Sequence, residues 1–166
     1  MITLARLKEI LSYNPETGEW RWLIRPANNL KVGQVAGTVR ADGYRQIRIG
    51  NVVYFSGRLA WFYMTGNWPT HEVDHINRVR SDDYWTNLRE ATSSNNGANR
   101  SLQSNNTSGY RGVSWDKISG KWDVRVNRMH IGFYDDMEEA VIIRDSVAKQ
   151  LQGPFAISNL MKGETT

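Results

Sequence analysis

Residues 73–77 read Val-Asp-His-Ile-Asn, and residues 87–92 read Asn-Leu-Arg-Glu-Ala-Thr. Asn87 follows His75 by 12 positions, and Asn96 follows Asn87 by nine. These spacings leave room for a strand, a loop, a returning strand and the first turn of a helix. The stretch therefore predicts a β-hairpin that is followed by a helix.

The predicted hairpin and helix would gather polar side chains from three elements. The returning strand is expected over 88–91, and Thr92 or Ser93 is expected to cap the helix. An Asp-His pair alone more often makes a structural hydrogen bond than a catalytic site, but the wider spacing favours a site. Asn99 is interpreted either as a helix-surface residue or as a hydrogen-bond support. The site predicted from this arrangement contains Asp74, His75, Asn87 and Asn96.

Short strands and two helices are expected before this stretch. Thr3 is a plausible N-cap for a helix over 3–12. Alternating residues over 20–24 are typical of a half-buried strand. Residues 58–65 are expected to form a buried helix that ends at Gly66. Further strands are expected at about 33–39, 44–49 and 52–56.

A change of composition separates this region from a second one. Residues 93–109 are rich in Asn and Ser and contain one large apolar residue, which is typical of a linker. Asp135 is the expected N-cap of the helix that closes the chain's second region. The elements expected after the linker are strands over 110–116, 121–127 and 129–134 and a helix over 136–152. Strands followed by one helix predict a small α+β unit.

Composition excludes several kinds of site. The chain has no cysteine, which excludes disulfides, thiolate zinc sites, iron–sulfur clusters and cysteine nucleophiles. Its histidines are His71, His75 and His130, so a structural zinc ion is not expected, and His71 and His130 are interpreted as surface residues. If a metal is bound, oxygen ligands and a hard ion such as magnesium are favoured.

The formal net charge is +4, and its distribution is informative. Residues 74–99 carry three basic and four acidic residues, between the more basic segments 1–73 and 100–130. An acidic centre with basic flanks suits a nuclease, although charge counts vary by this much in any basic protein. No run of about 18 apolar residues predicts a transmembrane helix. The N-terminus does not read as a secretory signal, so cytoplasm is the default expectation.

The quoted stretch resembles the HNH endonuclease motif, in the variant whose third signature residue is Asn. His75, Asn87 and Asn96 stand at the three signature positions, and Asp74 precedes the first. The segments that also resemble phage-borne members are 58–61, 66–69 and 87–92. The resemblance covers about residues 40–100 well and the residues before them more loosely. It implies an α+β fold, in which a ββα-metal nuclease domain carries an N-terminal β-rich elaboration.

The resemblance implies a role for each signature residue. His75 would be the general base that activates water for phosphodiester hydrolysis, and Asn87 would orient its imidazole. Asp74 and Asn96 would bind one Mg²⁺ or Mn²⁺ ion through oxygen, and the ion would contact the scissile phosphate. Adjacent residues of a regular strand point to opposite faces, so Asp74 and His75 share a site only if the strand ends or twists there.

Two positions depart from the family's pattern. Relatives often carry His immediately before the Arg-Leu-Ala-Trp segment, where this chain has Gly57. Asp83 stands where relatives commonly have Asn. Neither is a signature residue, so the departures bear on the rate of cleavage and on substrate preference and leave the signature itself intact.

The second region resembles the apetala/ethylene-response-factor type of DNA-binding domain. The residues that carry this resemblance lie in 105–115, 120–122 and 131–134. It implies a three-stranded antiparallel sheet that is packed on one helix and lies in the major groove of double-stranded DNA. Together the two resemblances predict a nuclease domain at 1–100, a linker at 101–108, a DNA-binding domain at 109–156 and a tail at 157–166.

Strand parity sorts the side chains of this second module. Trp122 is expected to face the helix, whereas Lys121 and Arg125 share the outer face. Arg111 and Trp115 have the parity of a core position, so each faces either the core or DNA. Basic residues outside the sheet's centre would contact phosphates. Such contacts position the domain on DNA and do not read the base sequence. The predicted DNA-binding residues are Arg111, Trp115, Lys117, Lys121, Arg125 and Arg128.

Three functional hypotheses follow from the sequence. The first is a magnesium-dependent HNH endonuclease of the homing or phage-borne kind, with a C-terminal module that positions it on double-stranded DNA. The alternative is a catalytically decayed nuclease that still binds DNA. A phage interaction protein without a DNA role is disfavoured by two nucleic-acid-type modules in one chain. No membrane partner is expected.

Overall fold

The chain divides into two compact units, Met1–Thr92 and Ser93–Thr166. The predicted metal ligand Asn96, its neighbour Asn99 and the helix expected at Ser93 lie outside the described part of the chain. None of the described helices combines the length and the apolar character that crossing a bilayer requires. The computed structural model describes residues 1–27, 30–92, 102 and 104–160.

The first unit contains, in its described part, two α-helices and three small antiparallel sheets. The sheets pair β1 with β2, β3 with β4 and β4 with β5, and β6 with β7. These elements, in chain order, are α1 (Leu4–Ile10), β1 (Leu11–Tyr13), β2 (Trp20–Trp22), β3 (Thr38–Val39), β4 (Arg45–Ile49), β5 (Val52–Phe55), α2 (Ser56–Thr65), β6 (Glu72–His75) and β7 (Leu88–Ala91).

The first helix begins where the sequence predicts. The hydroxyl of Thr3 accepts a hydrogen bond from the N–H of Arg6 at 3.2 Å, so the predicted cap is confirmed. The helix is shorter than the predicted 3–12, because Leu11 takes extended backbone and pairs with Trp22 in the first sheet. Pairing with the neighbouring strand therefore replaces the last helical turn that the apolar stripe predicts.

Aromatic residues of this first sheet anchor the core of the unit. Trp20 and Trp22 are buried and Arg21 between them is exposed, as the alternation predicts. The rings of Tyr13 and Trp20 lie 4.8 Å apart. Gly66 ends α2 in the left-handed conformation (φ 77°), where a side chain would be strained. Leu59 and Phe62 of α2 belong to the same buried cluster as Trp20 and Ile47, so the core holds α2 against these sheets.

In its described residues, the second unit has a three-stranded antiparallel sheet packed beside one α-helix, as the sequence predicts. Strand β9 is central, between β8 and β10. Val113 and Val124 pair across two strands and pack against Ala140 and Val141 of the helix. Its elements are β8 (Val113–Asp116), β9 (Lys121–Val126), β10 (Met129–Tyr134) and α3 (Met137–Gln152).

Helix α3 begins one residue later than predicted. Asp136, rather than Asp135, is the N-cap, because its carboxylate accepts from the N–H of Glu139 at 2.8 Å. Arg144 is buried along the helix, as its place in the apolar stripe predicts. Its guanidinium donates to the carbonyl of Ile157 at 2.5 Å.

The described part of the predicted tail is bound to α3 through Asp145. The Ser158 hydroxyl and the Asn159 N–H donate to this carboxylate at 2.6 and 2.5 Å, and Leu160 N–H does so at 3.2 Å. Burial acts to raise the pKa of Asp145, but hydrogen bonds from Ser158, Arg144 and the two backbone amides outweigh it, so the pKa is lowered.

This lowered pKa predicts an acid-sensitive attachment of the C-terminal segment. A carboxyl whose pKa is depressed on folding stabilises the folded state above its unfolded pKa of about 3.9, and the contribution is lost as pH falls through the folded value. Asp145→Asn should therefore weaken the protection of α3 amides from hydrogen exchange at pH 7. It should also make this protection less dependent on pH below about 4. Hydrogen exchange read by mass spectrometry measures this, with the exposed Asp135→Asn as control. Equal acid dependence in Asp145→Asn and wild type would contradict the prediction.

Candidate functional site

The predicted hairpin is present as β6 and β7. Their antiparallel register places Asp74 opposite Arg89 and His75 opposite Leu88. The strand includes both Asp74 and His75 and ends at His75. One further backbone bond, from Ile76 N–H to the Asn87 carbonyl at 2.9 Å, closes the hairpin beyond the strand end. His75 therefore lies at the point where the strand gives way to the connecting loop.

His75 and Asp83 form a buried pair. Nε2 of His75 lies 2.8 Å from Oδ1 of Asp83, and the two residues are 5% and 1% exposed. A carboxylate without partners at this depth would be costly, so its hydrogen bonds are part of what makes the fold stable. The pair connects the end of β6 to the last residues of the hairpin loop.

Two further elements hold Asp83 in place. The hydroxyl of Ser56, the first residue of α2, donates to Oδ2, and the hydroxyl of Tyr13 donates to the backbone carbonyl at 2.6 Å. Burial, together with the charge of Asp83, raises the pKa of Tyr13 and keeps this donor protonated. Gly18 packs so closely that a Cβ there would lie 2.4 Å from the Asp83 carbonyl carbon.

The two departures from the family's pattern adjoin each other in space. A Cβ added to Gly57 would lie 3.2 Å from Oδ1 of Asp83, the same oxygen that His75 contacts. A side chain at position 57 would therefore crowd the Asp83 carboxylate. The glycine and the aspartate together make room for a His–carboxylate pair.

Asp74 has a different partner. Its Oδ2 accepts from Nε and Nη2 of Arg89 at 3.1 and 2.9 Å, across the hairpin. The pair is largely buried, with side chains 9% and 16% exposed. The guanidinium neutralises the carboxylate beside the candidate base.

Asn87 holds the loop rather than the imidazole, which corrects the role predicted for it. Its Nδ2 donates to Oδ1 of Asn77 at 3.0 Å and to the carbonyl of Asp82 at 2.6 Å, and its Oδ1 accepts from the N–H of Asn77. Both amide hydrogens are therefore used within the loop. The imidazole is oriented by Asp83 instead.

The described residues offer limited support for a metal ion. No three His, Asp or Glu side chains among them lie close enough together to hold one. Mg²⁺ needs fewer protein ligands, since it is usually bound by one or two carboxylates together with water and substrate phosphate. Asp74 is a donor of the right type, but an ion there has to compete with Arg89 for Oδ2. Asn96, the other predicted ligand, lies outside the described residues.

In the second unit, the outer face of the sheet carries a cluster of charged and aromatic side chains. Asp123 is buried at 7% exposure, with Arg125 Nε at 2.8 Å and His130 Nε2 at 3.2 Å from its carboxylate. The His130 ring lies 4.7 Å from that of Phe133. Lys121 is paired with Asp135 at the edge. The predicted DNA contacts Lys121 and Arg125 are thus held by carboxylates.

Trp115 lies on the other face of this sheet, and this resolves the choice that strand parity left open. It pairs with Trp122, on the side where Val113 is buried against α3, and the two indole rings meet edge to face at 5.1 Å. The side chain is half exposed because β8 is an edge strand. Trp115 is therefore not on the face that carries Arg125.

The remaining predicted DNA-binding residues lie in different settings. Lys117 is exposed in the β8–β9 turn, and Arg128 is exposed in the β9–β10 turn with φ 68°. The backbone of Arg111 is bonded to the Asn159 side chain through both its N–H and its carbonyl. Arg111 is thus tied to the C-terminal segment.

Comparison with protein families finds one match to the first unit. Residues 54–98 match the model of a family described as HNH endonuclease. The matched segment includes His75, Asp83 and Asn87 with the hairpin that carries them. It also includes Ser56, so the hydrogen-bonded residues Ser56, His75 and Asp83 all fall within the matched segment.

A curated relative matches part of the chain. The ethylene-responsive transcription factor WRI1 of Arabidopsis thaliana is 30% identical over 96 residues, which cover 54% of this chain. The match covers 20% of that protein, so the chain spans about a fifth of its relative's length. Comparison with solved structures finds no match.

Asp83 is the residue of the candidate site whose contact with His75 the sequence did not predict. Its signal was the departure from Asn at that position, but nothing local indicates which side chain it contacts. Tyr13 and Ser56 are separated from Asp83 by 70 and 27 positions, and neither belongs to a motif. Only the packing of the first sheet and α2 against the hairpin loop brings these residues together.

Proposed function

We propose that this protein is a divalent-metal-dependent DNA endonuclease of the HNH type. The observation that carries the proposal is the buried His75–Asp83 pair at the end of β6, inside the segment that matches the HNH endonuclease family. A histidine fixed by a carboxylate is an arrangement suited to general-base catalysis. The homing or phage-borne type is part of the same proposal.

His75 takes the proton from the attacking water. The Asp83 carboxylate accepts the Nε2–H, which favours the neutral tautomer whose basic lone pair is on Nδ1. Water loses its proton to this nitrogen as its oxygen bonds to phosphorus, and the bond from phosphorus to the 3′ oxygen breaks. The imidazolium that forms is stabilised by the negative charge of Asp83. Ser56 holds the carboxylate and Tyr13 holds the backbone carbonyl of Asp83 during this change.

Asp74 is the described residue that would hold the divalent ion. When bound, such an ion neutralises charge on the scissile phosphate and on the departing 3′ oxygen. Magnesium or manganese suits an oxygen donor of this kind. Arg89 keeps the buried carboxylate paired before an ion binds, so the apo protein avoids an isolated buried charge.

Metal binding at Asp74 should be visible as stabilisation. At an ion concentration tenfold above Kd, a ligand bound only by the folded state adds about 1.4 kcal/mol to the free energy of unfolding. Mg²⁺ should therefore raise the Tm of the wild type, and Asp74→Asn should remove most of this rise. The exposed Asp42→Asn is the matched control, measured at constant ionic strength. An equal rise in wild type and Asp74→Asn would exclude Asp74 as the ligand.

The second unit would position the nuclease on double-stranded DNA. Lys117 and Arg128 are exposed in the two turns of its sheet, where they can contact phosphates. Arg125 projects from the outer face and is braced by Asp123. The partial match to a transcription factor supports this assignment.

A catalytically decayed DNA-binding protein is the second candidate function. The ion pair between Asp74 and Arg89 favours it, because a guanidinium already occupies the oxygen that an ion would need. A protein of this kind would bind DNA and would not cleave it.

Incubation with supercoiled plasmid separates the two candidates. The proposed endonuclease converts the plasmid to nicked or linear DNA with Mg²⁺ or Mn²⁺ and leaves it intact with a chelator. A gel shift without conversion in any divalent ion would identify the decayed protein. Affinity for DNA should also fall steeply with added salt; a flat dependence on salt would contradict both candidates.

A further inference from the structure

One face of the β3–β4–β5 sheet carries aromatic and basic side chains beside the candidate base. Tyr44 lies next to His75, with ring centroids 6.1 Å apart, and contacts Phe55 edge to face at 5.6 Å. The register of β4 and β5 places Gln46 opposite Phe55, so Gln46 shares this face, and Arg48 two residues later does too. We call the surface formed by Arg40, Tyr44, Gln46, Arg48, Phe55 and Arg80 the outer strip.

Arginines line the aromatic part of the outer strip. The guanidinium of Arg80 lies over the Tyr44 ring at 5.0 Å, and that of Arg40 lies over Phe55 at 5.7 Å. Stacking of this kind keeps a guanidinium flat on the surface while leaving its charge available to a ligand. The contacts form a continuous path from the imidazole of His75 to the far side of Phe55.

The charge of the outer strip is predominantly positive. The side chain of Arg48 is exposed and makes no ion pair with the described residues. Asp42 is the acidic side chain that contacts the strip, paired with Arg40 at 3.2 Å, and its carbonyl accepts from Arg80. Both members of the Arg40–Asp42 pair are 40–45% exposed, so solvent screens their attraction.

The other face of the same sheet belongs to the core. Ile47 is fully buried, and Tyr54, opposite it, accepts a hydrogen bond from the N–H of Ile2 beside α1. Phe55, in contrast, is 42% exposed. An exposed ring among arginines suits a partner that offers both negative charge and flat apolar surface.

We propose that the outer strip binds the DNA duplex next to the cleaved bond, independently of the second unit. Arg40, Arg48 and Arg80 contact phosphates, while Gln46 and the two rings lie in the groove against base edges and sugars. A β-ribbon fits the major groove, and glutamine can bond an adenine edge there. The identity of the partner rests on the proposed nuclease function.

Salt dependence of binding tests the strip without requiring cleavage. The variant Arg40→Ala/Arg48→Ala removes two phosphate contacts, which should reduce the slope of log K against log salt by about 1.8. Between 50 and 200 mM salt the wild type should therefore lose about tenfold more affinity than this variant. Arg6→Ala/Lys8→Ala removes two charges from α1, beside the opposite face of the sheet, and should leave the slope unchanged.

Further variants separate a lost contact from a damaged fold. Arg40→Lys/Arg48→Lys keeps both charges and should keep the slope, while Gln46→Ala should alter the preferred sequence near the cut and leave the slope intact. An unchanged slope in Arg40→Ala/Arg48→Ala, or the same reduction in Arg6→Ala/Lys8→Ala, would overturn the inference. If the protein shows the expected slopes but never cleaves DNA, the proposed nuclease function is overturned and DNA binding by the outer strip is supported.

Discussion

Replacement of His75 by glutamine is expected to lower the rate of DNA cleavage by roughly 10²–10⁴-fold, the usual contribution of a general base. The amide of glutamine can still donate to Asp83, so the buried carboxylate keeps a partner. It cannot take a proton from water, so catalysis is lost while the fold is kept. Single-turnover conversion of supercoiled plasmid at saturating protein and metal measures the effect.

His71→Gln is the matched control for this experiment, because His71 is an exposed histidine of the same unit. It should cleave at the wild-type rate. DNA affinity should be the same in His75→Gln and in wild type, since the loss is in chemistry. A rate in His75→Gln within a few-fold of wild type would remove His75 from the mechanism.

Replacement of Asp83 by alanine is expected to lower the free energy of unfolding by about 2–6 kcal/mol, because each buried donor left without an acceptor costs about 1–3 kcal/mol and two donors are affected. The change leaves the Ser56 hydroxyl and the His75 ring without their acceptor at a site that is almost fully buried. Urea denaturation followed by circular dichroism measures it, and cleavage should fall with it because the imidazole loses its support.

Asp83→Asn separates the shape of this residue from its charge. The amide oxygen can accept from His75, and the amide hydrogens can bond Ser56, so stability should fall by less than in Asp83→Ala. The rate of cleavage should still fall, because no negative charge stabilises the imidazolium. Asp42→Ala, an exposed aspartate, is the control for stability. A stable Asp83→Ala protein would show that the pair does not hold the site together.

The local parts of the fold could be predicted because their signals are local. Thr3 and Gly66 mark helix ends through their own backbone and side-chain chemistry, and both predictions are confirmed. The alternation around Trp20 gives a strand of the expected parity. The returning strand over 88–91 could be predicted because its distance along the chain from His75 suits a hairpin, and the strand is present.

The site could be predicted only in part, because its hydrogen bonds are long-range. The sequence identifies His75, but the partner of its ring comes from a loop position with no periodic signal. Asn87 was predicted to face the imidazole, yet the tight loop after β6 uses both of its amide hydrogens. The face on which Trp115 lies could not be predicted from the sequence either. Strand parity left it facing either the core or DNA, and only the packing of the sheet on α3 decides between them.

The decisive experiment on the role of His75 is the structure of the complex with an uncleaved DNA duplex, held in Ca²⁺. We expect the phosphate that is cut in the active reaction to lie about 5 Å from Nδ1 of His75, close enough for one bridging water, with Nε2 still in contact with Asp83. If that phosphate is bound elsewhere on the protein and the His75–Asp83 pair is remote from DNA, His75 is not the general base.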